Sequence, residues 1–207
     1  MSFDVDVVLQ RGEARIVCRF ATGPGVTALV GRSGAGKTSV LHAIAGLLRP
    51  HEGRIAVGDQ VLFDAAARVD IAPQHRACGF VFQDLRLFPH RRVRENLLYG
   101  WHLAPPRRRW LSLDEAVAFL DIAPLLHRHP RTLSGGEAQR VAIGRALLSG
   151  PRFVLMDEPL TSLDAALRNE TMAVIERIRD ELALPVLLVS HDAREVERLA
   201  DHVVAIG

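Results

Sequence analysis

Eight residues in the amino-terminal part of the chain have the types and spacing of a phosphate-binding loop. They are Gly31, Arg32, Ser33, Gly34, Ala35, Gly36, Lys37 and Thr38, and they fit the pattern G-x-x-x-x-G-K-[ST]. Glycine permits backbone angles that other residues resist, so successive N–H groups can turn towards an anion. Lys37 would reach the β- and γ-phosphates of a nucleotide, and Thr38 would be a ligand of Mg²⁺. The alternative, a glycine turn without a ligand, explains neither the Lys-Thr pair nor the strand before it. Ser39, the next residue, completes the expected nucleotide contacts.

Two adjacent acids, Asp157 and Glu158, follow a buried apolar run that ends at Met156. A carboxylate at the end of such a strand is positioned to hold Mg²⁺, usually through water. Acid pairs at strand ends are also common on surfaces without a function. The glycine loop upstream favours the metal-binding interpretation for Asp157.

A second glycine-containing segment, Leu133, Ser134, Gly135, Gly136 and Glu137, lies much later in the chain. Ser134 and Glu137 have the spacing of a capping box, which would make this a well-built helix start. A helix amino terminus with two glycines also has uncovered N–H groups and room for a phosphate. The two interpretations are compatible.

Composition limits the classes of protein that the chain can represent. Its 207 residues suffice for one domain or a domain with a small insert, and 48% are apolar but only 5% aromatic, which predicts an aliphatic core. The net charge of +2 gives no reason to expect nucleic acid as a partner. Cys18 and Cys78 follow no metal-binding spacing and form no disulfide framework. No apolar run approaches the length of a membrane span, so we expect a soluble protein that reaches any membrane through a partner.

Apolar runs that alternate with helical segments predict an α/β fold with a parallel, doubly wound sheet. The predicted strands are residues 4–9, 14–20, 26–30, 79–83, 153–156, 185–189 and 202–206, of which the first two form an antiparallel pair. The predicted helices are residues 38–48, interrupted by Gly46, then 134–149, and a helix capped by Asp164 that runs to about residue 182. Residues 84–130 are rich in Arg and Pro, contain a capping box at Ser112, and are expected to form a helical insert. Ligands of such sheets bind at the carboxyl ends of the strands.

The glycine loop, the segment 133–137 and the acid pair, in this order, resemble the ATP-binding-cassette (ABC) ATPases over about residues 3–206. The resemblance implies a P-loop NTPase fold with a mainly parallel sheet, an amino-terminal antiparallel β portion and an inserted helical subdomain. It implies one domain over 1–207, with a RecA-like core of about 1–83 and 150–207 and a helical subdomain of about 84–149. ATP and Mg²⁺ are then the expected cofactors. Each ATP would lie between the glycine loop of one subunit and residues 134–137 of a second copy in a homodimer.

The same resemblance implies roles for single residues. Glu158 would polarise the attacking water, Gln83 would sense Mg²⁺ and the γ-phosphate, and His191 would contact the γ-phosphate. The implied catalytic set is therefore Lys37, Gln83, Glu158 and His191, and the implied metal ligands are Thr38, Gln83 and Asp157. Ser162-Leu163-Asp164 resembles the loop that crosses the dimer interface, although Asp164 could be only a helix cap. Residues 9–13 lack the aromatic residue that stacks on adenine in this family, and the guanidinium plane of Arg11 could stack instead.

Residues 80–90 and 93–97 look most like those of the ATPase subunits of bacterial molybdate importers, although importers of sulfate, thiamine or iron share much of this segment. This likeness implies two transmembrane permease subunits, a solute-binding protein, and a peripheral location on the cytoplasmic face of the inner membrane. Such ATPases continue into a small all-β domain that can bind the oxyanion, and the end of this chain at Gly207 leads us to expect a short form. A soluble, non-transport ABC switch is the main alternative. A small-molecule kinase would not explain residues 133–137.

Overall fold

The computed structural model describes residues 2–12, 14–161 and 163–206. Met1, Glu13, Ser162 and Gly207 lie outside the described residues, so the parts of the predictions that fell on Glu13, Ser162 and Gly207 have no structural counterpart. The described strands are β1 (Phe3–Arg11), β2 (Ala14–Thr22), β3 (Val26–Val30), β4 (Glu52–Val57), β5 (Gln60–Asp64), β6 (Val69–Asp70), β7 (Cys78–Val81), β8 (Phe153–Asp157), β9 (Val186–Val189) and β10 (His202–Ala205). The described helices are α1 (Lys37–Ala45), α2 (Val93–Leu103), α3 (Leu113–Leu120), α4 (Gly135–Leu148), α5 (Ala165–Asp180) and α6 (Ala193–Leu199).

The strands form two five-stranded sheets, one antiparallel in the order β2-β1-β4-β5-β6 and one parallel in the order β10-β3-β9-β8-β7. Side chains of β8 alternate between two apolar cores, because successive residues of a strand point to opposite faces. Phe153 and Leu155 join the core that contains α1 and the antiparallel sheet, whereas Val154 and Met156 join the core that contains α4 and α5. The parallel sheet is therefore covered on both faces, as parallel sheets generally are.

The order of the parallel sheet determines which loops can meet. The glycine loop follows β3, His191 comes two residues after β9, Asp157 ends β8, and Gln83 comes two residues after β7. These four strands are consecutive neighbours, and all run in the same direction. Their carboxyl ends therefore bring all four segments to a single edge.

Several predicted boundaries differ from the structure by one to three residues, and two of these differences concern elements next to the glycine loop and Gln83. The helix predicted over 38–48 ends at Ala45, because Gly46 adopts a left-handed conformation (φ +81°) and closes the helix. The buried guanidinium of Arg76 provides hydrogen bonds to carbonyl groups in the last turn of this helix. Its Nη1 donates to the carbonyls of Ala43 and Ile44 at 2.8 and 3.0 Å. The strand predicted over 79–83 ends at Val81, which leaves Gln83 in the loop beyond it.

Four elements were not predicted from the sequence: β4, β5, β6 and α6. A signal for the β4–β5 hairpin was present, since Gly58 and Asp59 form a two-residue connection between Val57 and Gln60, a dipeptide type common in hairpins. β6 has only two residues and is paired with β5. A segment this short carries no periodicity that a sequence could display.

Candidate functional site

The glycine loop leaves the start of α1 open to an anion. Gly36 is the residue before the helix and has φ +95°, which a side chain would make costly. No side chain caps this helix start, and its first turn contains no acid. The first N–H groups of an α-helix lack partners within the helix and carry partial positive charge, so they can bind a phosphate here.

Lys37 is the only lysine in the chain, and its side chain is folded against the loop. Its Nζ donates to the carbonyl oxygens of Gly31 and Arg32 at 2.8 and 2.9 Å, and the residue is only 7% exposed. The two carbonyls hold the ammonium group at the mouth of the loop. The structure thus places the predicted phosphate-binding cation beside the predicted phosphate-binding amides.

Thr38 and Asp157 meet across the gap between α1 and β8. The Thr38 hydroxyl donates to Asp157 Oδ1 at 3.0 Å. Burial raises the pKa of Asp157, while the Thr38 hydrogen bond and nearby His42 act in the opposite direction. A hydroxyl, a carboxylate and the amide oxygen of Gln83 are all hard oxygen donors, which suits Mg²⁺. Groups of three or more His, Cys, Asp or Glu side chains arranged for a metal do not occur among the described residues.

The carboxylate of Glu158 joins residues that follow three different strands. Its Oε2 accepts hydrogen bonds from Gln83 Nε2 at 3.2 Å and from Thr161 Oγ1 at 3.1 Å. Its Oε1 lies 3.7 Å from His191 Nδ1. Glu158 also has a left-handed backbone (φ +47°), which is uncommon for a non-glycine residue and occurs most often at functional sites. The structure therefore brings the side chains of Gln83, Glu158 and His191 together.

The glycine loop and Glu158 line a cleft in the surface of the protein. One side of this cleft is formed by the β1–β2 hairpin, through Arg11, Ala14 and Ile16. Arg11 Nη1 donates to Ser39 Oγ at 3.3 Å. Ile16 packs so closely on Gly36 that a Cβ at Gly36 would lie 2.5 Å from its Cδ1. The described residues that line this cleft include no aromatic side chain; the others are Ser33, Gly34, Lys37, Thr38 and Glu158.

Ser134 is the N-cap of α4, and residues 133–137 are not among the described residues that line the cleft. Ser134 Oγ accepts from the Glu137 N–H at 3.2 Å, and Glu137 Oε2 accepts from the Ser134 N–H at 2.7 Å, which forms the predicted capping box. The hydrogen bond from the Ser134 backbone lowers the pKa of Glu137. Gly136 has a packing role that the sequence did not show, since a Cβ there would lie 2.6 Å from Leu167 of α5. Within one chain, the two phosphate-binding candidates stay apart.

His42 was missed by the sequence analysis. It lines a second part of the site together with Thr38, Gln83 and Asp157. Burial lowers the pKa of His42, and the negative charge of Asp157 partly offsets this effect. Helical spacing could have indicated His42 as a site residue, because it lies four residues after Thr38 and therefore on the same face of α1.

Asp164 is a helix cap in the structure. Its Oδ1 accepts from the N–H groups of Ala166 and Leu167 at 3.0 and 2.9 Å. This observation accounts for the residue within one chain and is compatible with a further contact across a dimer interface.

A family model described as ABC transporter matches residues 21–161, which include the glycine loop, the segment 133–137 and the acid pair. The chain belongs to the ABC transporter family. Strand β3 with the loop that follows it, and strand β8 with the carboxylate pair at its end, lie within the matched residues.

The curated relatives of this cassette include molybdenum import ATP-binding proteins named ModC. The protein from Rhodospirillum rubrum is 54% identical over 204 residues, which are 99% of this chain and 55% of that protein. The protein from Paramagnetospirillum magneticum is 52% identical over 198 residues, which are 96% of this chain and 54% of that protein. The chain therefore spans about half the length of the curated relatives that it matches.

Solved structures with the same architecture include two of the ATP-binding cassette MJ0796. One is a dimer in a post-hydrolysis state bound to ADP and Pi, with a TM-score of 0.77. The other is a dimeric structure of the same bacterial ABC transporter cassette, with a TM-score of 0.78. Both are 25% identical to this chain, and each match covers 100% of this chain and 94% of the solved chain. Among the described helices of the cassette, none combines the length and apolar character needed to cross a membrane.

Proposed function

We propose that this chain is the ATP-hydrolysing part of an ABC importer whose solute is molybdate. The observation that carries the ATPase proposal is the convergence of Gln83 and His191 on the Glu158 carboxylate, in a site that also contains Lys37 and the Thr38–Asp157 pair. The identity of about one half with molybdenum import proteins supports the choice of solute.

In this proposal, the glycine loop binds the nucleotide. The free N–H groups at the start of α1 and the ammonium group of Lys37 hold the phosphates, and Arg11 and Ile16 flank the rest of the nucleotide. Thr38, Asp157 and Gln83 hold Mg²⁺, which would neutralise charge on the phosphates. Phosphoryl transfer depends mainly on such positioning and charge neutralisation.

In this proposal, hydrolysis is carried out by Glu158 together with its partners Gln83, Thr161 and His191. The Glu158 carboxylate orients the attacking water and takes up its proton, as a general base does. Gln83 and Thr161 hold one carboxylate oxygen, so the other stays directed towards His191. His191 donates a hydrogen bond to the γ-phosphate, where charge develops during the reaction.

The cassette acts as a homodimer in this proposal. Residues 134–137 are separate from the cleft of their own chain, and dimers of the similar cassette MJ0796 have been solved. A two-fold axis would make both sites equivalent, each using the glycine loop of one copy and Ser134 of the other.

The remaining assignments concern the assembly. We assign residues of about 1–83 and 150–207 to a core and about 84–149 to a helical subdomain that contacts two transmembrane permease subunits. A solute-binding protein would deliver molybdate to the permease. The chain would then lie peripherally on the cytoplasmic face of the inner membrane, and it needs no nucleic acid.

Uptake of labelled molybdate tests this proposal, in cells whose own molybdate ATPase has been deleted and that express the native protein or a variant at equal level. We expect Lys37→Ala to abolish uptake and Arg19→Ala to leave it unchanged, because Arg19 is an exposed residue paired with Asp6 outside the site. ATP hydrolysis by the purified protein is measured in parallel. Lys37-dependent hydrolysis without Lys37-dependent uptake would retain the ATPase and refute molybdate as the solute.

A further inference from the structure

A buried hydroxyl lies directly before His191. Ser190 is only 2% exposed, and its Oγ donates to Glu195 Oε2 at 2.5 Å. The same oxygen accepts a hydrogen bond from the Asp192 N–H at 3.1 Å. These two bonds join Ser190, which precedes His191, to Asp192 and Glu195, which follow it. They therefore hold the backbone on both sides of His191.

Glu195 belongs to α6 and is 7% exposed. A buried carboxylate is costly unless it is paired and hydrogen-bonded. Its two oxygens have separate partners, Ser190 on one side and Arg168 of α5 on the other, whose Nε lies 3.7 Å from Oε1. The ion pair with Arg168 leaves Oε2 directed at the Ser190 hydroxyl.

Arg168 connects this arrangement to the start of α5. Its Nη1 contacts Asp192 Oδ2 at 3.5 Å, and its Nη2 donates to the Leu163 carbonyl at 3.3 Å. Leu163 immediately precedes Asp164, the cap of α5. The backbone of His191 is therefore tied, through Glu195 and Arg168, to the turn that begins α5.

The imidazole of His191 depends on this backbone for its position. Its side chain is 64% exposed, and its contact with Glu158 is 3.7 Å long. A side chain so open to solvent is oriented chiefly by where its Cα is held. Ser190 also follows Val189, whose carbonyl accepts the Glu158 N–H at 3.2 Å. An effect on the site can therefore pass through His191 or through this backbone bond, and removal of the His191 side chain distinguishes the two.

We propose that Glu195 is a positioning residue for His191, acting through the Ser190 hydroxyl. The proposal rests on the ATPase function proposed above. Displacement of a positioned group by about 1 Å lowers a rate by up to about 100-fold. Loss of the Ser190–Glu195 hydrogen bond should therefore reduce turnover while leaving nucleotide binding intact, since the glycine loop is unaffected.

A double-mutant cycle in ATP hydrolysis by the whole protein tests the proposal. We expect Ser190→Ala and Glu195→Ala each to lower kcat about 10-fold or more, with KM for ATP unchanged. Glu195→Gln should keep most of the activity, because its amide oxygen still accepts the Ser190 proton. In a His191→Ala background, Ser190→Ala should have no further effect, since the residue through which it acts is absent. Additive losses in that background would overturn the proposal.

A matched control separates positioning from general damage. Ser149 Oγ donates to the Ala146 carbonyl at 2.7 Å at the far end of α4, so Ser149→Ala removes a comparable hydroxyl and should leave kcat unchanged. A second readout does not need activity: the ring-proton NMR signal of His191, assigned by its loss in His191→Ala, should shift in Ser190→Ala and not in Ser149→Ala. An unmoved signal would also overturn the proposal. Native protein without Lys37-dependent hydrolysis would instead refute the proposed ATPase, and the NMR result would still decide the positioning role.

Discussion

Gln83 Nε2 donates a hydrogen bond to Glu158 Oε2 at 3.2 Å and so joins the loops that follow two neighbouring strands. The Gln83 loop is itself fixed to α4, because Arg145 donates to the carbonyls of Leu85 and Arg86 at 2.7 and 2.6 Å. Leu85 and Arg86 both have left-handed backbones. A movement of α4 would therefore reach Glu158 through two consecutive contacts, from Arg145 to the Gln83 loop and from Gln83 to Glu158.

Glu158→Gln should keep ATP binding and lose turnover. The amide has nearly the shape of the carboxylate but cannot accept the proton of the attacking water. Loss of a general base typically costs about 10²- to 10⁴-fold in rate. Steady-state hydrolysis and ATP affinity are measured together, with size-exclusion chromatography to detect an ATP-bound dimer that accumulates.

The control for this variant is Glu52→Gln, at an exposed position remote from the site. Its activity should equal that of the native protein. Normal turnover in Glu158→Gln would remove Glu158 from the proposed role.

Ser134→Arg should spare ATP binding by the single chain and abolish hydrolysis, because the large side chain would enter the site of the second copy. Ser112→Arg is a closely matched control, since Ser112 and Glu115 form the same capping box at the start of α3. Both variants lose one helix cap, worth about 0.5–2 kcal/mol of stability, and thermal unfolding measures that common effect. Equal hydrolysis by the two variants would show that Ser134 acts only as a cap.

Arg11→Ala should weaken ATP binding modestly. A guanidinium that stacks on a ring at an exposed site contributes about 0.5–1 kcal/mol, which corresponds to about a two- to fivefold rise in Kd. Titration calorimetry with ATP measures this change, and Arg15→Ala on the same hairpin serves as the control. Unchanged affinity in Arg11→Ala would refute the stacking role.

Cys18 should make the stability of the protein fall in alkaline solution. Burial, with a smaller contribution from Asp6, raises the pKa of its thiol from 9.0 to about 11. The unfolded chain then loses this proton at lower pH than the folded chain, so ionisation favours unfolding. The stability present below about pH 9 decreases by about 2–3 kcal/mol as the pH rises to about 11.

Urea unfolding of the native protein and of Cys18→Ala across this pH range measures the effect. The variant should show a shallower decrease, whatever its stability at neutral pH. Parallel curves for the two proteins would contradict the prediction.

The sequence was sufficient where local chemistry determines the structure. The Gly31–Thr38 spacing specified the loop, and the apolar run before Asp157 specified a buried strand that ends in the site. The sequence was insufficient where a residue acts through a distant partner. From the sequence alone, Arg76 would be expected to be an ordinary surface cation, and only the fold shows that it binds the carbonyl groups at the end of α1. Glu195 would likewise be expected on the surface of a helix, and only the fold shows that Arg168 and Ser190 are its partners.

Because Lys37 lies in the glycine loop, covalent labelling of its amine can measure how much of the site is occupied by nucleotide. All other side-chain cations of the chain are arginines or histidines, so an acylating reagent specific for amines finds one side-chain target besides the α-amino group. That amine is held against two loop carbonyls, and a bound nucleotide would engage it further. The mass of one acyl group on Lys37 should therefore appear slowly in the free protein and more slowly still with ATP, giving a direct count of filled sites.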